Sequence, residues 1–478
     1  MKENLAKSSF WSTFWTLTDT IATKGVAFVV GIVLARLLTP SDFGIIGMML
    51  VFTSLCDVVI ESGTSNALIR KVNRNDCDCS TALYLNLGVA IVAYTLLYLF
   101  SPFIAHFYNE KIICKLIKVA GLNVLISALC IVPNALFIAE FKTKMQAKVN
   151  IIANLLSGIT ALALAYWGFG IWALIVQTIV SNVLKCCGYW ISIKWKPTIC
   201  ISKDSLSYLW NYSSKSFLIG MIGTFFANIH SLLIGKFFTP VDLGYFSRAN
   251  QFAQLPNSII NSTFQRISVA TFAVLQDDKE HLLNVYRKYI HVISCVSFAL
   301  FFFLALISKP LVLVLLTDRW LSCVPMISII AIGLAFSPLG IINLCLLQTI
   351  NKLDYSLKLE IKKKMLFILI LILTIPLGLM PMIIGATLYN ILATMMNMSC
   401  SKKFIGYIYL DQFKDIFAYL LVTIISSVIT ILAGMLMEDT WTVLILQSII
   451  FWTLYWGSIY LFKLSALKYF FEIKNKIR

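Results

Sequence analysis

Apolar runs of about 20 residues recur along almost the whole 478-residue chain, for example at 10–35, 83–100 and 440–462. A helix of about 20 apolar residues crosses the hydrocarbon core of a bilayer, and it satisfies its own backbone hydrogen bonds there. The composition agrees, because 59% of the residues are hydrophobic and only 13% are charged, against about 25% charged in soluble domains. The sequence therefore predicts an all-α, polytopic membrane protein.

The apolar runs divide into about fourteen predicted spans, grouped as six, six and two. We expect an N-terminal six-helix bundle over 1–200, a second six-helix bundle over 201–400, and two extra helices with a basic tail over 401–478. The predicted spans are 11–35, 43–63, 81–103, 115–139, 149–167, 170–193, 211–235, 243–265, 286–308, 322–347, 363–381, 382–400, 413–434 and 441–462.

A nine-residue motif occurs twice with an offset of 200 positions: Arg36 to Gly44 reads RLLTPSDFG, and Lys236 to Gly244 reads KFFTPVDLG. An internal repeat of this kind indicates a duplicated architecture. The Thr–Pro–x–Asp spacing is typical of a helix start, with Thr as N-cap, Pro at the first position and Asp reaching back to a free N–H. The glycine then allows another helix to approach closely. The motif is therefore expected to serve folding rather than transport.

The placement of the 39 Lys and Arg residues predicts the topology. Most of them fall in alternate segments between the spans, and such segments face the cytoplasm. Both termini are then cytoplasmic, and the two halves enter the membrane in the same direction. This relation predicts a pseudo-two-fold axis along the membrane normal, with a cavity between the halves. The same placement explains the net charge of +17 without nucleic-acid binding.

The twelve cysteines have no regular spacing, and many lie inside apolar runs. No disulfide is implied by this pattern. Cys77 and Cys79 lack a nearby histidine or second cysteine pair, so no metal site is expected, and no motif calls for a cofactor. Lys2 and Lys7 precede an apolar run that is too long for a signal-peptide core, so the first helix is expected to remain.

One predicted span of the second half carries a stripe of side-chain amides. These residues follow one another at steps of 4, 3, 4 and 4 and are Asn250, Gln254, Asn257, Asn261 and Gln265. That spacing places all five on one helix face, and amides without partners are costly in lipid. The positions 200 residues earlier are Leu50, Ser54, Asp57, Glu61 and Ser65. The first half thus repeats the polar stripe at four of five positions and makes it acidic at two.

Charged residues inside spans are costly and therefore indicate function. The first span carries Asp19 and Lys24. Lys24 lies about 16 Å and Asp57 about 21 Å from the predicted periplasmic helix ends, so the two can pair. Such a pair is either a structural link between two helices or part of a charged cavity wall with carboxylates poised for protonation.

The other basic candidates have simpler alternatives. Lys215 and Arg266 lie near cytoplasmic helix ends, where long side chains reach to the interface. Arg248 lies near the outer end of its span, where it can face lipid head groups.

The order and spacing of several motifs resemble the bacterial polysaccharide-lipid flippases, which export O-units and capsule units. The motifs are Leu38–Gly44, Gly63–Ile69, Val132–Leu136, Gly168–Gln177, Leu243–Ala249 with Leu255–Pro256, Leu275–Asp278 and Trp320–Pro325. That family belongs to one superfamily with the multidrug and toxin extruders and the lipid II flippases. The resemblance covers most of the first 360 positions.

The resemblance implies a fourteen-helix fold and a polyprenyl-diphosphate-linked oligosaccharide as cargo, passed from the cytoplasmic to the periplasmic leaflet of the bacterial inner membrane. Cationic side chains suit a diphosphate, and the candidates are Lys24, Lys215, Arg248 and Arg266. The amide and acidic stripes suit sugar hydroxyls, and Asp19, Asp57 and Glu61 are the candidates for coupling. Besides the cargo and membrane lipids, the expected partners are a polysaccharide polymerase and glycosyltransferases.

Two other functions compete with this interpretation. A multidrug or cation antiporter of the extruder type would share the fold, but its cavity would be more apolar and acidic, without an intramembrane Lys24. A membrane glycosyltransferase is the enzyme alternative, since Asp76-Cys77-Asp78 resembles the Asp-x-Asp that holds a nucleotide-sugar metal. Three residues in a short loop are weak evidence, so no enzyme activity is expected.

Overall fold

The computed structural model describes residues 2–61, 64–71, 73–435 and 440–469; the side chains of residues 2–10, 13, 17, 210–216 and 353 lie outside this description. The described part of the chain is helical and contains no strand. Its α-helices are α1 Lys2–Leu37, α2 Pro40–Glu61, α3 Thr64–Arg70, α4 Asp76–Tyr108, α5 Ile112–Ala120, α6 Leu122–Ala139, α7 Thr143–Tyr166, α8 Trp172–Ser192, α9 Lys203–Phe237, α10 Pro240–Val274, α11 Lys279–Leu315, α12 Val324–Leu334, α13 Ser337–Thr349, α14 Leu353–Thr374, α15 Leu379–Ile405, α16 Tyr409–Gly434 and α17 Thr440–Leu461. Short 3₁₀ helices cover Asp318–Cys323 and Ile375–Leu377.

Twelve helical segments of the described chain are long and apolar enough to cross a membrane. The predicted all-α polytopic membrane protein is therefore confirmed. The two remaining predicted spans fall on α10 and α14, which are long helices but too polar to belong to the twelve. α10 carries the amide stripe, and α14 carries Lys362, Lys363 and Lys364 near its middle. The count of fourteen stays a prediction for this reason.

The chain forms two compact units, Met1–Gly244 and Tyr245–Arg478. In the first unit, α7 packs between α1 and α8, while α2 packs against α9 and α4. In the second unit, α11 is central and packs against α12, α16 and α17, and α15 packs against α12, α13 and α14. The division into 1–200, 201–400 and 401–478 remains a proposal about the duplication.

Both copies of the repeated motif are capping boxes, as predicted. The N–H of Thr39 donates to Asp42 Oδ2 at 2.9 Å, and the N–H of Asp42 donates to Thr39 Oγ1 at 3.4 Å. In the second copy, the N–H of Thr239 donates to Asp242 Oδ2 at 3.1 Å, and the return bond is also 3.1 Å. Each box satisfies N–H groups that the first helical turn leaves without partners. The boxes fix the starts of α2 and α10.

The two motifs also pack against each other within the first unit. A Cβ atom on Gly44 would lie 1.7 Å from the carbonyl oxygen of Pro240, and one on Gly244 would lie 1.9 Å from that of Pro40. Only glycine allows this reciprocal approach of two backbones. The predicted role of these glycines in close packing is confirmed.

The predicted span over 322–347 is broken into a 3₁₀ turn, α12 and α13. Pro338 lies in the first turn of α13 and cannot continue the hydrogen bonds of α12. Two carbonyls at the break accept bonds from side-chain hydroxyls: Ser297 Oγ donates to Ala335 O at 2.7 Å, and Thr394 Oγ1 donates to Phe336 O at 3.1 Å. A break at membrane depth is tolerated when neighbouring hydroxyls restore the lost bonds in this way.

The expectation that no cysteine pairs is wrong. Cys77 and Cys200 form a disulfide that closes a separation of 123 residues. It joins the start of α4 to the segment before α9, beside a bond from the N–H of Thr198 to Ser80 Oγ at 3.0 Å. Spacing along the chain carries no signal for a pair this distant, which is why the sequence does not indicate it.

Candidate functional site

The acidic face of α2 is the first polar surface inside the membrane region. Asp57 is half-buried, Glu61 is exposed one turn later, and α2 ends at Glu61. Ser54, one turn before Asp57, accepts a bond from Asn228 Nδ2 of α9 at 3.2 Å. The predicted stripe therefore faces α9 at Ser54. Its last member, Ser65, lies on the separate helix α3, and Leu50 is an exposed apolar residue.

Asp19 of α1 belongs to a buried polar network. Its Oδ2 accepts a bond from Asn150 Nδ2 at 2.8 Å, and Asn150 Oδ1 accepts one from Tyr189 Oη at 2.6 Å. Lys185 of α8 interacts electrostatically with Asp19. The Oδ1 atom of Asp19 is buried and accepts no hydrogen bond from the described residues. A carboxylate held in this way inside the membrane is a candidate proton-binding group.

Sequence reasoning missed most of this network, although a signal was present. Gln146, Asn150 and Asn154 follow one another at steps of four on α7, so they share a face. Gln146 donates to Asn134 Oδ1 at 2.6 Å, and Asn154 accepts from Ser181 Oγ at 3.2 Å. The polar seam thus runs from α7 to both α6 and α8.

Lys24 is exposed on α1. α1 packs on α7, whereas α2 packs on α9, α4 and α6. The proposed pairing of Lys24 with Asp57 stays a prediction.

In the second unit, the amides of α10 form a ladder along the helix. Asn261 Nδ2 donates to Asn257 Oδ1 at 3.0 Å, and Asn257 Nδ2 donates to Gln254 Oε1 at 2.9 Å. Asn257 is only 8% exposed, while Gln254 and Gln265 are exposed and Asn250 is intermediate. The Oδ1 of Asn261 is buried and has no donor among the described residues. The ladder holds its amides in one orientation and leaves an acceptor available.

The remaining basic candidates differ in their surroundings. Arg248 is 6% exposed; it bonds Gln251 and lies 5.9 Å from the ring of Trp320. Tyr245 Oη donates to Arg319 O at 3.1 Å. These contacts join two of the motifs that carry the family resemblance, Leu243–Ala249 and Trp320–Pro325. Arg266 is exposed on α10, and the side chain of Lys215 lies outside the described residues.

A polar cavity of about 200 Å³ lies among α13, α14 and α15. Lys363 is 7% exposed there and forms an ion pair with Glu360, and the buried Oδ1 of Asn343 accepts no bond from the described residues. The predicted span 363–381 begins beside Lys362–Lys364. The structure places them about 15 Å inside α14, measured from its first residue.

No group of three or more His, Cys, Asp or Glu residues that could hold a metal ion occurs in the described part of the chain. The polar side chains of the candidate surfaces are amides, carboxylates and basic groups.

The model of a known family, "Polysaccharide biosynthesis protein", matches residues 33–325. This match covers more than half of the chain. The chain belongs to that polysaccharide biosynthesis family.

Relatives within curated proteins carry names that agree with this family. The succinoglycan biosynthesis transport protein ExoT of Rhizobium meliloti is 24% identical over 67% of this chain and 65% of its own length, slightly under two thirds. The lipopolysaccharide biosynthesis protein WzxC of Escherichia coli is 24% identical over 80% of this chain and 78% of its own. The teichuronic acid biosynthesis protein TuaB of Bacillus subtilis is 23% identical over 66% of each chain.

Two solved structures have the same fold as this chain. The inward closed conformation of the lipid II flippase MurJ superimposes with a TM-score of 0.77 at 13% identity, over 95% of this chain and 98% of that one. An inward-facing multidrug resistance transporter of the MATE family gives a TM-score of 0.65 at 17% identity, over 83% of this chain and 98% of that one. The fold is therefore that of the MurJ and MATE transporters.

Proposed function

We propose that this protein is a flippase that moves polyprenyl-diphosphate-linked oligosaccharide repeat units from the cytoplasmic to the periplasmic leaflet of the bacterial inner membrane. The translocated repeat units would be used in the biosynthesis of an O-antigen, a capsule or an exopolysaccharide. The observation that carries the proposal is the pair of polar helix faces on α2 and α10 in a chain of the polysaccharide biosynthesis family.

The polar faces suit an oligosaccharide better than an apolar drug. Sugar hydroxyls both donate and accept hydrogen bonds, and side-chain amides match them in both roles. The buried Asn261 Oδ1 receives no hydrogen bond from the described residues, and a sugar hydroxyl would satisfy it. Asn250, Gln254, Asn257 and Gln265 extend the same face, and Asp57 and Glu61 offer carboxylates on α2.

The diphosphate requires cationic partners, because phosphate oxygens are best bound by charge-assisted hydrogen bonds. Lys24 is the first candidate, since it is exposed on α1 at membrane depth. Lys215, Arg248 and Arg266 are the others, and the burial of Arg248 makes it the least accessible of those whose side chains the structure describes.

Coupling to a proton gradient would use Asp19, Asp57 and Glu61. We propose that Lys24 binds the diphosphate when cargo is present and pairs with Asp57 when it is absent, so that cargo frees Asp57 to take up a proton. Only a difference in affinity between inward and outward states can drive such a cycle.

A cation antiporter of the MATE type remains the alternative, because it shares the fold. The family match and the amide ladder of α10 favour the flippase. The protein is then a transporter rather than an enzyme, and it would work alongside a polymerase and glycosyltransferases.

The test is deletion of the gene followed by analysis of lipid-linked sugars in each membrane leaflet. Complete oligosaccharide-lipid should accumulate on the cytoplasmic side, and the wild-type gene should clear it. An unchanged distribution of oligosaccharide-lipid, with normal surface polysaccharide, would contradict the proposal.

A further inference from the structure

An apolar cavity of about 550 Å³ lies among α2, α4 and α9 of the first unit. We call it the apolar slot. On α4 its lining extends from Gly88 to Ile104, which is about 24 Å of helix. The hydrocarbon core of a bilayer is about 30 Å thick. The slot therefore runs along most of the thickness of the hydrocarbon core, as an extended hydrocarbon chain does.

The slot and the acidic face lie on different sides of α2. Phe52, Leu55, Cys56 and Val59 line the slot at helical spacing. Asp57 and Glu61 fall on the opposite face of the same helix, because each residue turns the helix by about 100°. Among the described residues, the lining of the slot therefore offers hydrocarbon, the Cys56 thiol and the Met221 thioether to an occupant.

Gly88 keeps the slot open. It lies on the exposed side of α4, and a Cβ atom built on it would meet nothing within 4 Å. Next to it, Val92 is 59% and Leu96 is 50% exposed, so the slot opens on the side of α4 that faces lipid. A larger side chain at position 88 would fill this space without a clash.

A lysine lies about one helical turn beyond Ile104, the last residue of α4 that lines the slot. Phe107 follows the lining residues Phe100 and Ile104 on the same face of α4. Lys236, in the last turn of α9, donates from Nζ to Phe107 O at 2.7 Å and lies 4.5 Å from the Phe107 ring. Lys236 is exposed, and an ammonium group has two further donors to offer. This end is the one that the Lys and Arg pattern predicts to be periplasmic.

A hydrocarbon slot that ends at an exposed ammonium group matches an amphiphile with one long chain and an anionic head. We propose that the apolar slot binds the polyprenyl chain of the cargo after the diphosphate has left Lys24 for the periplasmic leaflet, with a phosphate oxygen then at Lys236. This inference rests on the proposed function and deepens it: it gives the lipid portion a site of its own, away from the polar faces that hold the sugar. The charge complementarity of Lys236 suits the phosphate, and the slot, at about 24 Å, is longer than the roughly 15 Å that one leaflet of hydrocarbon offers. The length therefore favours a long polyprenyl chain over phospholipid chains.

The experiment measures binding of undecaprenyl diphosphate to the purified full-length protein in detergent, by native mass spectrometry. Gly88→Phe should lower the affinity by about tenfold or more, which corresponds to withdrawing roughly two methylene groups from an apolar site. Gly88→Leu should have a smaller effect in the same direction. Lys236→Gln should weaken binding of the diphosphate and reduce the dependence of binding on salt.

Matched controls separate the slot from general damage. Gly457→Phe makes the same substitution on α17, where a Cβ atom also meets nothing within 4 Å, and it should bind like wild type. Arg36→Gln removes the equivalent basic residue of the other repeat copy and should also leave binding unchanged. Thermal melting of each variant identifies any that fails to fold. If Gly88→Phe fails, the affinity of the folded Gly88→Leu variant tests the slot in its place.

Three results would overturn the inference, and they differ in meaning. Equal binding by wild type, Gly88→Phe and Lys236→Gln would remove the slot as a site and leave the flippase function intact. If the wild type bound phosphatidylglycerol as tightly as undecaprenyl diphosphate, and the same variants lost that binding, the slot would be an ordinary phospholipid site. Failure of wild type to bind undecaprenyl diphosphate at all would contradict the proposed function itself.

Discussion

Gly44 of α2 lies against the backbone of Pro240 at the start of α10, so closely that a Cβ atom would stand 1.7 Å from the Pro240 carbonyl oxygen. The reciprocal contact joins Gly244 to Pro40. Two capping boxes and two glycines thus form a single crossing in the first unit, built from both copies of the repeat.

Substitution of either glycine should destabilise the protein. Gly44→Ala and Gly244→Ala each force two backbones apart, and overpacking of this kind costs about 1–3 kcal/mol, with larger values when backbone must move. Thermal melting in detergent measures the loss. Gly457→Ala is the control, because a Cβ atom at Gly457 meets open space. Equal melting temperatures for all three variants would contradict the close contact of the two glycines with Pro40 and Pro240.

Loss of a cap should lower stability without lowering the intrinsic rate of transport. Asp42→Ala removes the side chain that accepts from the Thr39 N–H, and cap removal costs about 1 kcal/mol. Thr39→Ala combined with Asp42→Ala should cost little more, because both residues belong to one box. Normal melting of Asp42→Ala with abolished export would instead give Asp42 a role in transport.

Cys77→Ser and Cys200→Ser should destabilise the protein equally, and the double variant should match either single one. A disulfide across 123 residues restricts the unfolded chain, and a loop of that size corresponds to about 4–5 kcal/mol. Melting with and without a reductant measures the effect, with Cys114→Ser as the control at a free cysteine. If the melting temperature of the wild type were the same with and without the reductant, the disulfide would not contribute to stability.

Cysteines along α10 should report which side of the helix meets water. Gln254→Cys and Gln265→Cys replace exposed amides and should react with a water-soluble thiol reagent, while Asn257→Cys, at a site only 8% exposed, should react slowly. Ile259→Cys is the informative control, since Ile259 is 39% exposed but does not belong to the amide stripe. Faster labelling at position 259 than at position 254 would show that water reaches the face of α10 opposite the amide stripe, which contradicts the proposed role of the stripe.

Lys24→Ala should abolish export, because the diphosphate loses its cationic partner, and Lys24→Arg should keep part of it because the charge remains. Lys196→Ala, at an exposed loop lysine, should export normally. The measurement is surface polysaccharide per molecule of folded protein in the deletion strain. Export by Lys24→Ala at the wild-type rate would remove Lys24 both as a ligand and as a partner of Asp57.

Features governed by neighbours along the chain could be predicted from the sequence. Spans follow from the length of apolar runs, and the starts of α2 and α10 follow from Thr39, Asp42 and their repeats, because a cap forms within four residues. The amide ladder was also visible, since helical periodicity alone places Asn257 and Asn261 on one face. These predictions needed no knowledge of which helices touch.

Features that depend on which helices pack together could be read only from the tertiary structure. Asp19 has its partner Asn150 131 residues away, Cys77 pairs with Cys200, and the apolar slot exists only where α2, α4 and α9 leave a gap beside Gly88. Local patterns in the sequence are enough to show that this chain crosses the membrane many times and repeats its helix starts. Which polar groups meet inside the membrane was set by the packing of whole helices, because in lipid each buried polar group must find its partner on another helix rather than in water.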